Sequence, residues 1–156
     1  MHPKFMTIIS TLDRKLGALR SCPPRVFGEL PVGMPTSGVY LFSEGARHLY
    51  VGRSNKLRKR YFLHCRPGSQ QNQASFAYKL ARQALGIEGP AYQRGERSRA
   101  GLAANPVFVE AFLAAKERIR HMQYRFVDEP DQTRQALLEA YCAIVLETPY
   151  NDFDTH

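Results

Sequence analysis

Residues 37–64, SGVYLFSEGARHLYVGRSNKLRKRYFLH, constrain the fold more than any other stretch. Two short apolar runs are separated by turn-forming residues and followed by a basic segment. Val39, Leu41 and Phe42 suit a first strand, and Leu49, Tyr50 and Val51 a second. Ser43-Glu44-Gly45 between them reads as the turn of a β-hairpin. Gly52 ends the second strand in this reading, and Ser54 caps a helix over about residues 55–64. On that helix Lys56, Arg60 and His64 recur every four residues and form one stripe. Leu57 and Tyr61 form the neighbouring stripe, which faces the core.

The chain as a whole sets outer bounds. Its 156 residues are enough for one domain with its own core. A formal net charge of +8 favours a polyanionic partner, either nucleic acid or an anionic membrane surface. No apolar run approaches transmembrane length. Met6-Thr7-Ile8-Ile9 is too short for a signal-peptide core, so a cytoplasmic location is expected. Cys22, Cys65 and Cys142 are too widely spaced for a zinc site or a disulfide framework. Neither a P-loop nor a Rossmann fingerprint is present, and no serine lies in a nucleophile-elbow context.

Outside the hairpin, Phe5, Ile9, Leu12, Leu16 and Leu19 mark one apolar stripe and predict a single amphipathic helix over 3–20. It packs on the domain or serves a partner or a second copy. Cys22-Pro23-Pro24 ends it, and the stretch to Thr36 reads as a connector. Arg66-Pro67-Gly68 makes a turn. A helix from Ala74 to Leu85 follows, with Phe76, Ala77, Leu80, Ala81, Ala84 and Leu85 inward and Gly86 at its C-cap. Residues 86–104 read as an exposed loop in which Arg94, Arg97 and Arg99 are solvated charge or phosphate contacts. Asn105-Pro106 starts a helix whose stripe is Phe108, Phe112, Ala115 and Ile119. Met122 to Val127 suits a third strand. Asp131 caps a last helix to about Leu146 that is apolar on nearly all sides, the mark of a buried helix. Glu139 sits in the middle of it. A buried carboxylate needs a cation, so either a metal ion or a salt-bridge partner such as Arg60 is required.

Gly38-Val39-Tyr40 and Tyr50-Val51-Gly52 resemble the paired signature of the GIY-YIG nuclease family. Arg60 stands where that family places its arginine, and His64 matches its His or Tyr position. Glu139 fits its helical carboxylate and Asn151 its late asparagine. The resemblance covers residues 37–64 and roughly 122–151. It implies a small α/β fold, a three-stranded mixed sheet flanked by helices. Residues 37–151 are then the nuclease core, 66–121 a helical elaboration, and 1–36 an N-terminal helix and connector.

The resemblance also implies an activity, metal-dependent hydrolysis of nucleic-acid phosphodiester bonds. The expected substrate is DNA, single- or double-stranded, with no membrane partner. The expected cofactor is one divalent ion, Mg²⁺ or Mn²⁺, held by Glu139. Tyr40 would be the general base, Tyr50 would orient the attack, Arg60 would grip the phosphate, and His64 would position Tyr40 or the water. Arg53, Lys56 and Asn151 would bind phosphate or support the site. A phenol titrates near pH 10, so nearby cations, Arg53, Arg60 and the metal, must favour its phenolate. One site makes one nick, so a double-strand break calls for a homodimer, a partner protein or two visits. The alternative is a nucleic-acid-binding module of the same fold without catalysis.

Overall fold

The computed structural model describes residues 1–87 and 98–153. These separate into two compact units. The first comprises Met1–Arg60 and Met122–Asn151, and the second Tyr61–His121 with Asp152 and Phe153.

The first unit is built on strands β1 (Gly38–Glu44), β2 (Arg47–Ser54) and β3 (Gln123–Asp128), in the order β2-β1-β3. Both pairings are antiparallel, so the sheet is wholly antiparallel rather than mixed. The third strand arrives from a separate part of the chain, and its direction is set by that connection rather than by any local pattern. The hairpin turn is also tighter than expected. Ser43 and Glu44 remain in β1, and Gly45 turns the chain at a φ of +60°, which a side chain would strain. Gly52 lies inside β2, which continues to Ser54.

Alternation along the strands divides the sheet into two faces. Val39, Leu41, Val51 and Val127 point to one core, together with Leu16, Leu19, Leu138, Cys142 and Ala143. Those last residues come from helices α2 (Leu12–Ser21) and α7 (Gln132–Leu146). The other face is aromatic. Phe42 lies 5.1 Å from Tyr124 and 5.7 Å from Tyr40 between ring centroids, and Tyr40 is 5.7 Å from Tyr124.

The N-terminal helix is broken in two, α1 (Pro3–Ile9) and α2, because the side chains at the junction compete for its backbone carbonyls. Ser10 Oγ donates to Thr7 O at 2.7 Å and Thr11 Oγ1 to Ile8 O at 3.3 Å. Leu16 and Leu19 are buried as expected, but Phe5 is 41% exposed. The connector holds one short pairing, with Arg25 and Tyr124 exchanging backbone hydrogen bonds across the outer edge of β3.

Helix α7 begins where expected, with Asp131 Oδ1 accepting from Arg134 N at 2.8 Å. It is not buried on all sides. Leu138, Cys142 and Ala143 face the core, while Ile144 is 68% exposed and Val145 is exposed too. Its buried polar side chain is Gln135, whose Nε2 donates to Asn55 Oδ1 at 3.0 Å and Glu129 O at 2.7 Å. The deeply buried carboxylate of this region is Glu129, with Lys15 Nζ 4.0 Å from its Oε1.

Helix α3 (Leu57–Cys65) starts in the first unit and ends in the second. Ser54 Oγ accepts from Lys56 N at 2.9 Å, so the helix begins two residues later than the sequence suggests. Leu57 and Tyr61 are fully buried, as their stripe requires.

The second unit contains α4 (Ser75–Ala84), α5 (Arg99–Ala103) and α6 (Pro106–Arg120). Phe76, Ala77, Leu80 and Ala81 face inward, but Ala84 and Leu85 are exposed at the helix end. Asn105 Oδ1 caps α6 by accepting from Val107 N at 2.9 Å. Lys116 is buried there, its Nζ donating to Pro67 O at 2.6 Å and Ser69 O at 2.9 Å. Arg94 and Arg97 lie outside the described residues. Within the stretch expected as loop to 104, residues Arg99–Ala103 are helical, and Ser98 Oγ opens α5 by accepting from Gly101 N. Among the described residues no helix is long and apolar enough to cross a membrane.

Candidate functional site

The outer strand β2 carries the centre of the site. Tyr40 on β1 stands directly across from Gly52 on β2. A side chain at position 52 has no room, since a Cβ there would lie 2.2 Å from the Tyr40 hydroxyl oxygen. The absence of that side chain lets the phenol lie across β2. Gly38 answers a similar demand, because its Cβ would lie 1.9 Å from the carbonyl oxygen of Val127 on β3. The first and last glycines of the two triplets are therefore both steric requirements. Gly52→Ala should displace Tyr40, destabilising the protein by about 1–3 kcal/mol as an overpacked core does. Thermal melts measure this directly, and an unchanged melting temperature would show that the ring relaxes freely.

Tyr40 is 1% exposed and Tyr50 9%, with ring centroids 6.4 Å apart. The Arg60 guanidinium donates to both hydroxyls. Its pKa is raised. Burial alone would lower it, but the two phenol oxygens more than offset that. Tyr40 is also raised above the ordinary phenol value, mainly by burial, with Tyr50 adding to the effect. Arg60 opposes this through its charge and hydrogen bond, and the Glu139 carboxylate pushes the phenol up further. Without a metal ion the balance keeps Tyr40 protonated at neutral pH, since Arg60 opposes the rise caused by burial but does not offset it.

Glu139 is partly exposed rather than buried, and Arg53 is one partner of its carboxylate. Arg53 Nε donates to Glu139 Oε2 at 3.0 Å, with the two side chains 43% and 27% exposed. Alternation puts Tyr50 and Arg53 on opposite faces of β2. The cluster thus straddles the outer strand, with the two phenols and Arg60 on one side and the Arg53–Glu139 pair on the other.

Asn151 seals the same strand. Its Oδ1 accepts from Val51 N and its Nδ2 donates to Val51 O, both at 2.8 Å. Tyr150 N adds a bond to Leu49 O at 3.2 Å, and Thr148 Oγ1 fixes the carboxamide by donating to its Oδ1 at 2.7 Å. Asn151 therefore supports the strand that presents Tyr50 and Arg53.

Lys56 is exposed at the start of α3, and among the described residues no contact joins its ammonium to this cluster. His64 belongs to the second unit and is fully buried, so the Lys56-Arg60-His64 stripe passes from exposed to buried along the helix instead of forming a solvated face. The sequence reading missed the steric role of Gly52 and the Arg53–Glu139 pair. The first was visible as a glycine two residues after a strand tyrosine. The second joins residues 86 apart and leaves no local signal.

Among the described residues no group of three or more His, Cys, Asp or Glu side chains is placed to hold a metal ion. One partly exposed carboxylate still suits a hard hydrated cation such as Mg²⁺, which keeps several waters and takes one or two carboxylates plus substrate phosphate oxygens. Comparison with protein-family models, with curated proteins and with solved structures returned no match.

Proposed function

We propose that this chain is a divalent-metal-dependent endonuclease that hydrolyses phosphodiester bonds in nucleic acid, DNA first among them. The observation that carries the reading is the Arg60 guanidinium bridging the Tyr40 and Tyr50 hydroxyls, with the Glu139 carboxylate in electrostatic reach of Tyr40. The ordered resemblance to GIY-YIG nucleases and the net charge of +8 support it.

Glu139 would hold the cation, which supplies Lewis-acid stabilisation of the leaving oxygen when bound. Arg60 would grip the scissile phosphate, since its planar fork matches two phosphate oxygens. Tyr40 would take the proton of the attacking water, Tyr50 would orient that water, and Asn151 holds β2 in place behind them. His64, in the second unit, is assigned no step.

The raised pKa of Tyr40 has a kinetic consequence. A base that titrates above the working pH is active only as its small deprotonated fraction, and that fraction grows tenfold per pH unit. The logarithm of the single-turnover rate should therefore rise with a slope near one between about pH 6 and 9. Tyr40→Phe should lower the rate and flatten the profile, more than Tyr50→Phe does. A wild-type plateau near neutrality, or a larger loss at Tyr50, would reassign the base.

One observation favours a second reading, a nucleic-acid-binding module without catalysis: Tyr40 is closed off from solvent and keeps its proton. Purified protein incubated with supercoiled plasmid, single-stranded DNA and RNA, each with Mg²⁺, Mn²⁺ or EDTA, separates the two. The nuclease should give nicked circles with the ions and none in EDTA. Undiminished cleavage in EDTA would remove the metal mechanism. Salt-sensitive binding without cleavage under any condition would establish the binding module.

A further inference from the structure

We propose that Arg53 is an exchangeable guard on Glu139. In the free protein its guanidinium occupies the carboxylate. When nucleic acid arrives it transfers to a backbone phosphate and releases the carboxylate to the cation. Substrate and cation then bind cooperatively through one side chain. This rests on the reading of Glu139 as the cation-holding residue.

Three features support the exchange. The pair is a single contact, Arg53 Nε to Glu139 Oε2 at 3.0 Å, instead of a two-bond fork. Among the described residues no acceptor engages the terminal nitrogens of Arg53, so most donors of a group well matched to phosphate face outward. Both side chains are reached by water, and such pairs are weak and readily exchanged.

A merely structural pair, pinning α7 to β2, makes a different forecast. Its loss would loosen the carboxylate and weaken any cation bound there. A guard's loss would strengthen it.

The test is Mn²⁺ binding, followed by the electron paramagnetic resonance of the free ion. Wild type, Arg53→Gln, Arg53→Lys and Glu139→Gln are compared, each with and without a phosphorothioate oligonucleotide. The ion bound by the oligonucleotide alone is subtracted. In wild type the oligonucleotide should tighten Mn²⁺ binding by about fivefold, the scale a partly exposed pair can contribute. Arg53→Gln should bind Mn²⁺ about fivefold more tightly by itself and lose the effect of the oligonucleotide. Arg53→Lys keeps a charge able to sit on the carboxylate and should retain part of the coupling. Unchanged or weaker Mn²⁺ binding in Arg53→Gln, with Glu139→Gln binding none, would overturn the guard and leave the metal site standing. Mn²⁺ binding unaffected by Glu139→Gln would overturn the metal site, and the guard with it.

Discussion

Glu139→Gln is expected to reduce cleavage by about a thousandfold or more while leaving the fold and nucleic-acid affinity nearly intact. Lewis-acid stabilisation at a reacting phosphate contributes several kcal/mol, and each 1.36 kcal/mol is roughly a factor of ten in rate. An amide oxygen is a poorer ligand for a hard cation than a carboxylate. The fold should tolerate the change because the Arg53–Glu139 pair is partly exposed and such pairs contribute at most about 1 kcal/mol. The melting temperature should then fall by no more than about 2–4 °C. Affinity should hold or rise, because Arg53 is freed and phosphate contacts come from Lys and Arg. Single-turnover cleavage, a thermal melt and a binding titration on the same preparation decide the matter. Full cleavage would end the metal role. A collapse in melting temperature in metal-free buffer would show that the pair is a structural bridge.

Arg60→Lys should cost on the order of 10²–10³ in the single-turnover rate, the scale of losing one preorganised donor at a developing oxyanion. The reason lies in the bridge. Arg60 reaches two phenol oxygens at once. Lysine keeps the charge, but a compact ammonium replaces the planar fork that spans both hydroxyls. Arg60→Met removes the charge as well and should fall lower. If Arg60→Lys keeps near wild-type turnover, Arg60 acts through charge alone and its positioning role is wrong. Binding measured beside the rates tells lost chemistry from lost affinity.

Much of the first unit was legible because its signals are local. Alternating apolar residues marked β1 and β2, spacing of four placed Leu57 and Tyr61 inward, and Asp131 and Asn105 stood where caps are found. The errors came from interactions no window contains. Ser10 and Thr11 broke a helix whose apolar stripe continues unbroken through them. The sheet proved antiparallel because β3 enters beside β1 from a distant part of the chain. The apolar surround of α7 suggested burial on every side, yet a helix of that composition can leave Ile144 in water when just one face meets a sheet. Glu139 stands out in the sequence as a carboxylate inside an apolar helix, but in the fold it is half-covered and pairs with Arg53 across the sheet edge. Of the candidate set, Tyr40, Tyr50 and Arg60 do converge, Arg53 and Glu139 meet beside them, and Asn151 braces the strand. Lys56 stands apart, and His64 lies in the second unit.

The first unit is discontinuous in sequence, and this governs when its chemistry can exist during synthesis. The ribosome makes Tyr40, Tyr50, Arg53 and Arg60 first, then the whole of 61–121, and then β3, Glu139 and Asn151. Val51 and the asparagine that braces it are 100 residues apart, roughly 5–20 s of translation at ordinary rates of 5–20 residues per second. Throughout that interval the nascent hairpin holds its tyrosines and arginines without the carboxylate or the third strand. Residues 61–121 are complete before the unit they interrupt. The site proposed for cleavage would therefore stay incomplete on the ribosome, close to RNA, until the far half of the chain has been made.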